Sequence, residues 1–239
     1  MRIGLLGYGK MGKAIEPIAI ERGHEIGLKI TSQNSKDLTA SSIAQLDVAI
    51  EFSRPETAFD NIKCCLEQKV PVVVGTTAWL DRLDEAKALC EKTGGALLWA
   101  SNFSIGVNLF FAVNRILAKY MADQPQYAVA LEEIHHTQKL DAPSGTAITL
   151  AEAILAELPN KKSWKNTATT DESTIPIVSK REGQVPGTHE IVYQSPIDTI
   201  TIRHEAHSRK GFAMGAVLAA EWLVGKAGFF DMNDFLGFK

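Results

Sequence analysis

Two hydrophobic rhythms divide the chain. Up to Ser101, short apolar runs alternate with stretches whose apolar residues recur every three or four positions. RIGLL (2–6), GLKIT (27–31), DVAIEF (47–52), VPVVVGTT (70–77) and ALLWAS (96–101) are separated by segments such as LDRLDEAKALCEK, where Leu80, Leu83, Ala86 and Cys90 share one side. Strands alternating with helices predict a parallel sheet. Each run ends in small or polar residues, in turn GYG, TSQNS, SRPE, GTT and SNFS, and the carboxyl edge of an open parallel sheet is where ligands bind.

From Tyr127 the period becomes two. Val129, Leu131 and Glu133 fall on one side, and Ala128, Ala130 and Glu132 on the other. TIPIVS (174–179), HEIVYQS (189–195) and DTITIRHEA (198–206) read as further strands, the last two joined through Pro196 and Ile197 as a hairpin. This predicts a mixed or antiparallel sheet in a separate domain, whose Ile- and Val-bearing faces need a cover and so point to substrate holding and self-association. Residues 159–173, PNKKSWKNTATTDES, are polar and aperiodic, and are expected to form a mobile surface loop. The stretch from Gly211 returns to a helical pattern too apolar for a solvent-facing helix, and is expected to pack back on the first domain. The fold class expected is α/β: an N-terminal Rossmann-like dinucleotide domain (1–105 plus 213–239) with an inserted mixed-sheet α+β domain (106–212) for substrate binding and oligomerisation.

The first turn carries chemistry. GYGKMG follows the first strand directly and opens a helix. In the dinucleotide fingerprint Gly7 permits the tight turn, Gly9 lets the backbone approach a pyrophosphate, and Gly12 lets the helix pack closely on the strand. Tyr8, Lys10 and Met11 complete the loop. Pro17 lies inside that helix, removes one backbone hydrogen bond at a cost of about 3 kcal/mol, and predicts a kink. An NAD-specific site places a carboxylate at the end of the second strand, but Thr31, Ser32, Gln33, Asn34 and Ser35 stand there. No acid excludes a 2′-phosphate, and Lys10 and Lys36 are expected near that phosphate, although no arginine clamp is evident. NADPH is favoured, with NADH tolerated.

Composition narrows the partners. The 239 residues are 45% hydrophobic with a formal charge of −3, and Lys and Arg are dispersed, so neither a nucleic-acid footprint nor a membrane-binding basic run is present. Cys64, Cys65 and Cys90 have no paired-metal spacing and read as reduced core thiols. MRIGLLGYG resembles neither a signal peptide nor a membrane span, which predicts a cytoplasmic protein.

The densest cluster is EEIHHTQKLDAPSGTA (132–147). His135 and His136 are neighbours on a strand end and point to opposite faces, so one meets a ligand while the other packs. Lys139 adds a second titratable cation that is costly without an anion, and mutual repulsion of His and Lys brings the lysine toward acid–base competence. Adjacent histidines do not converge on one metal and no third ligand has suitable spacing, so no metal is expected. Ser144 is an N-cap candidate for the helix marked by Ala147, Leu150, Ala151, Ile154 and Leu158. The amides of Gly145, Thr146 and Ala147 are then open to an anion such as a carboxylate.

With these residues together the chain resembles the dihydrodipicolinate reductase family. The likeness also takes in the glycine loop ending KMG, EFSRPE (51–56), VVGTT (73–77), NFSIGVN (102–108) and SRKGFAMGA near the end, and so spans nearly the whole chain. The resemblance implies hydride transfer from NADPH or NADH to a cyclic dicarboxylate, giving tetrahydrodipicolinate, by a homotetramer assembled through the second domain's sheet. It implies His135 as proton donor or acceptor, Lys139 as proton donor, His136 as substrate ligand, and Gly145 and Thr146, beside Ser144, at a substrate carboxylate. Gly75, Thr76 and Thr77, with Ala100, Ser101, Asn102 and Phe103, would line the nicotinamide side, and a cleft between the domains would close on both ligands. A related reductase or amino-acid dehydrogenase for another small dicarboxylate, and a non-catalytic NAD(P)H sensor, are the alternative readings.

Overall fold

The five apolar runs become parallel strands β1 (Arg2–Leu6), β2 (Glu25–Ile30), β3 (Val48–Glu51), β4 (Val72–Val74) and β5 (Ala96–Trp99) in the computed structural model, which describes residues 1–208 and 210–238. Between them lie α1 (Lys10–Glu21), α2 (Ala40–Ile43), α3 (Pro55–Glu67) and α4 (Leu83–Thr93). All residues of β3 and β4 are buried, which is why these runs show no alternation: a parallel sheet with helices on both faces has no solvent side. One core joins Ile3, Leu5 and Ile50 to Ile15, Ile18 and Val217, and another joins Leu6, Val72 and Leu97 to Ile62, Leu66 and Ala86. Pro17 stands inside α1, which runs unbroken through it.

The C-terminal stretch departs from expectation. After α7 (Lys210–Leu223) the chain forms β11 (Gly228–Phe230), parallel to β5, and then α8 (Met232–Leu236). Gly225, just past the end of α7, and Gly228, the first residue of β11, take φ of +81° and +124°, turns of the backbone that a pattern of apolar residues does not reveal. The sheet order is β11-β5-β4-β3-β1-β2. The chain runs outward from β1 to β2 and returns to β3 on the other side, so the carboxyl ends of β1 and β3 flank the point where connections diverge.

The chain divides into two compact units, one of Met1–Ile105 with the segment beginning at Lys210, the other from Gly106 up to that segment. Helix α5 (Ile105–Met121) leads into the second unit, which contains a sheet of order β10-β9-β6-β8-β7. Its strands are β6 (Ala128–His135), β7 (Ser163–Lys165), β8 (Thr174–Arg181), β9 (Gly187–Gln194) and β10 (Thr199–Ala206), with β6 parallel to β8 and antiparallel to β9. Alternate residues of β6 are buried, Val129 and Leu131 packing with Ile177, Ile191 and Tyr193 against α6 (Gly145–Glu157). The polar segment 159–173 is not wholly a loop. Ser163–Lys165 pairs with the start of β8, and the Asp171 carboxylate accepts hydrogen bonds from Ser173 N (3.0 Å), Ser173 Oγ (2.8 Å) and Thr174 Oγ1 (2.7 Å). Three residues are too few to print a period. No helix among the described residues is long and apolar enough to cross a membrane.

Candidate active site

In the first unit the backbone at Gly7 and Gly12 is too close to its surroundings for a side chain. Gly7 ends β1 at φ +98°, and a Cβ there would stand 2.1 Å from Phe52 O. A Cβ on Gly12 would stand 2.6 Å from Gly7 O, so helix and turn meet where only hydrogen fits. Around the Cβ position of Gly9 there is no atom within 4 Å. That open space adjoins the amino end of α1, twelve residues long and without a side-chain cap, where N–H groups and the helix dipole favour an anion.

A cleft of about 360 Å³ opens at this edge, lined among others by Gly7, Tyr8, Gly9, Thr31, Ser32 and Arg54. Lys10 and Lys36, expected near a 2′-phosphate, do not line it. Arg54 is the one charged residue among its described lining. It stands after β3, whereas the expected place for an arginine clamp is the end of β2.

The other predicted cofactor residues lie outside that cleft. Lys10 and Met11 open α1, and Gly12 is buried. Beyond β4, Gly75 N donates to Glu51 O. Thr76 Oγ1 accepts from Ser53 N at 2.8 Å, and Thr76 O accepts from the indoles of Trp79 (2.9 Å) and Trp99 (3.2 Å). Thr77 and Ser101 are exposed, Asn102 Oδ1 accepts from Ser104 N at 2.8 Å, and Ala100 and Phe103 are core residues, the Phe103 ring packed 5.7 Å from that of Phe52. Glu51, fully buried, accepts from Ser53 and Asn61. Burial pushes its carboxyl above the ordinary range against those hydrogen bonds.

The second unit gathers His135, Lys139 and Ser144 with Glu133, Ser179, Arg181 and His189, four residues that the sequence pattern does not mark as site residues. His135 closes β6 and is 8% exposed, on the same face as Glu133, while His136 is only half-buried. Opposite faces were expected. The β6/β9 register sets Glu133 beside His189, and the β6/β8 register sets Glu133 beside Ser179 and His135 beside Arg181. Strand periodicity groups Glu133 with Val129 and Leu131, but no pattern in one sequence pairs it with residues 46 and 56 positions on.

Glu133 is wholly buried and saturated. Ser144 N donates to both of its oxygens at 3.1 Å, Ser179 Oγ to Oε1 at 2.8 Å, and Arg181 Nη2 to Oε1 at 3.4 Å. Burial alone would raise its carboxyl, but interactions with His189, Ser144 and Ser179 outweigh it and hold the group well below the usual carboxylate range. His135 moves from 6.5 down to about 4: burial acts first, then the charge of His189, with Lys139 and Arg181 adding to it against Glu133. Of the mutual repulsion expected between them, the Lys139 charge acts on His135. Lys139 Nζ donates to both oxygens of Asp141, at 2.8 and 2.7 Å.

Ser144 is the N-cap of α6, and its Oγ accepts from Ala147 N at 3.2 Å and lies 3.1 Å from His189 Nε2. The Ala147 amide, expected to be open to an anion, is therefore occupied, and the buried serine hydroxyl is spent as a cap. The amides of Gly145 and Thr146 remain at the open end of a thirteen-residue helix, without intrahelical acceptors.

A third metal-ligand candidate does exist, across the sheet: Glu133, His135 and His189 bring ligand atoms within 4.8 Å of one another. The donor set fits a cation poorly. Three donors fill the carboxylate, one of them the Arg181 guanidinium, and a divalent ion would have to displace them beside that fixed positive charge.

Models of the family described as dihydrodipicolinate reductase match this chain twice, the N-terminal model at residues 1–103 and the C-terminal model at 106–236. A curated 4-hydroxy-tetrahydrodipicolinate reductase from Christiangramia forsetii is 51% identical over 237 residues, covering 99% of this chain and 98% of the relative. One of that name from Neisseria gonorrhoeae is 37% identical, covering 93% and 84%. Among solved structures, a dipicolinate-bound dihydrodipicolinate reductase from Paenisporosarcina sp. TG-14 superposes with a TM-score of 0.80 over 97% of each chain at 24% identity. An amine dehydrogenase from Mycobacterium smegmatis gives 0.61 at 12% identity over 96% of this chain and 94% of its own, and both superpositions speak for the fold alone. Both halves of the sequence, matched in order over residues 1–103 and 106–236, place the chain in the dihydrodipicolinate reductase family.

Proposed function

We infer that this chain catalyses the NAD(P)H-dependent reduction of 4-hydroxy-tetrahydrodipicolinate to tetrahydrodipicolinate, the reductase step of diaminopimelate and lysine synthesis. The observation that carries this reading is the 51% identity across 99% of the chain, joined to the short segment that holds His135, Lys139 and the open end of α6. A cyclic dicarboxylate brings two negative charges. The Gly145 and Thr146 amides are suited to one of them, and Lys139 and His136 to the rest of the ring acid. The second unit is thus the substrate-binding domain.

For the nucleotide, Gly7–Gly12 and the amino end of α1 suit the pyrophosphate, because Gly9 leaves space there. Arg54 suits a 2′-phosphate. Gly75–Thr77 and Ala100–Phe103 follow β4 and β5 on the same sheet edge and are assigned to the nicotinamide side. When bound, the nicotinamide supplies the hydride. The chain's task is then to hold the dicarboxylate and move protons: His135, uncharged at neutral pH, takes the ring proton that leaves with the hydroxyl as water, and Lys139, exchanging its Asp141 partner for substrate carboxylate, donates the one proton that the reduction adds.

The enzyme works in the cytoplasm as a homotetramer built on the second unit's sheet, where Val178, Ile200 and Ile197 are 37%, 37% and 91% exposed. Light scattering on the purified protein tests the assembly, and a monomer at micromolar concentration would reject it. The reaction is tested by turnover with nicotinamide deuterated at the transferred position: tetrahydrodipicolinate heavier by one mass unit is expected, and unlabelled product would refute direct transfer.

A further inference from the structure

We propose that Glu133 is a positioning residue: its single buried carboxylate orients the His135 imidazole through Nδ1 and holds the Ser144 amide, so that proton acceptor and anion-binding helix end are set as one unit. What this says of turnover rests on the reductase reading; what it says of the imidazole does not.

The two carboxylate oxygens divide the work. Oε1 takes Ser179 Oγ and Arg181 in addition to the Ser144 amide. Oε2 also takes the Ser144 amide and otherwise faces the two imidazoles, with His135 Nδ1 at 3.5 Å and His189 Nε2 at 3.6 Å. His135 Nδ1 is buried and makes no hydrogen bond, so this oxygen is the acceptor toward which a proton on Nδ1 relaxes. A carboxylate at one ring nitrogen selects the tautomer with the proton there and leaves the other nitrogen as a base. His189, edge-on with ring centroids 5.0 Å apart, walls the imidazole. Arg181 extends the arrangement to the lysine loop, donating from Nε to Lys139 O (3.2 Å) and from Nη2 to Asp141 O (2.6 Å). Removing the carboxylate therefore disturbs the orientation of His135, the cap of α6 and the anchor of Lys139 together.

The test combines imidazole ¹⁵N NMR of the wild-type enzyme with steady-state kinetics of Glu133→Gln and Glu133→Asp. The wild type is expected to show His135 as the Nδ1–H tautomer, and the Nε2–H tautomer overturns the proposal whether or not any variant folds. Glu133→Gln is expected to bind NADPH normally, to lose about 100-fold in kcat as misplacement of a reacting group does, and to show mixed tautomers. Its acid limb in the kcat/KM profile should move to lower pH, because the lost anion had favoured the imidazolium. Glu133→Asp should recover part of kcat. A folded Gln variant with wild-type kcat and pH profile overturns the proposal, as does one equivalent of tightly held zinc on His135 and His189. Absence of turnover in a wild type that shows the Nδ1–H tautomer would reject the reductase reading and leave the positioning role standing.

Discussion

His135 should make the folded protein sensitive to mild acid, by an amount that follows from its burial. Its pKa falls from 6.5 to about 4 in the folded state, so the unfolded chain takes up this proton first as pH falls. The stabilisation is complete above 6.5 and is lost as pH drops toward 4. The gap between the two values corresponds to about 3 kcal/mol in full, and integrating it only from pH 7 to pH 5 gives about 2 kcal/mol. At 8% exposure there is little solvent screening to discount. His204 shifts in the same direction by burial and is common to both proteins compared. Urea unfolding of wild type and His135→Gln at pH 7 and pH 5 isolates the contribution: the wild type should lose about 2 kcal/mol more than the variant. Equal losses would mean that the imidazole is charged or solvated in the folded state, and the proton-acceptor assignment would go with it.

Three further outcomes are expected. Lys139→Ala and His135→Ala should each lower turnover strongly while NADPH affinity, read by fluorescence titration, changes little; a large loss of nucleotide binding would contradict their placement. Arg54→Ala should raise KM for NADPH about tenfold and leave KM for NADH near wild type, since one charge-assisted contact by an exposed arginine is worth about 1.5 kcal/mol; parallel changes for both cofactors would refute a phosphate role. Ser144→Ala should destabilise the second unit by about 1 kcal/mol through loss of the cap and weaken substrate more than cofactor, with hydrogen exchange in Gly145–Glu157 as the local readout; unchanged exchange there would show that Glu133 and packing alone hold the helix end.

What could be read from the sequence was what repeats locally. The strands of the first unit, the three glycines and the Ser144 cap each depend on a few neighbouring residues, and their geometry follows the reading. Non-local features were harder to see. Glu133, His189 and Arg181 meet only because β6, β8 and β9 share a register, and Arg54 reaches the cleft beside the glycine loop from the end of β3 and not of β2. β7 and β11, three residues each, are stabilised by their partners β8 and β5 rather than by any period of their own. The partner of Lys139 was hidden differently: Asp141 stood two residues away in plain view, but the choice between Asp141 and the histidines depends on burial, which drives His135 down and leaves the lysine to the exposed acid.

The central claim is the reductase activity. The most direct measurement couples the purified protein to the preceding synthase, which forms the substrate in situ from pyruvate and aspartate semialdehyde, and follows nicotinamide absorbance with NADPH and NADH separately. Oxidation that requires the synthase, with Lys139→Ala inactive under the same conditions, is the predicted result. Nucleotide binding without synthase-dependent oxidation would contradict it.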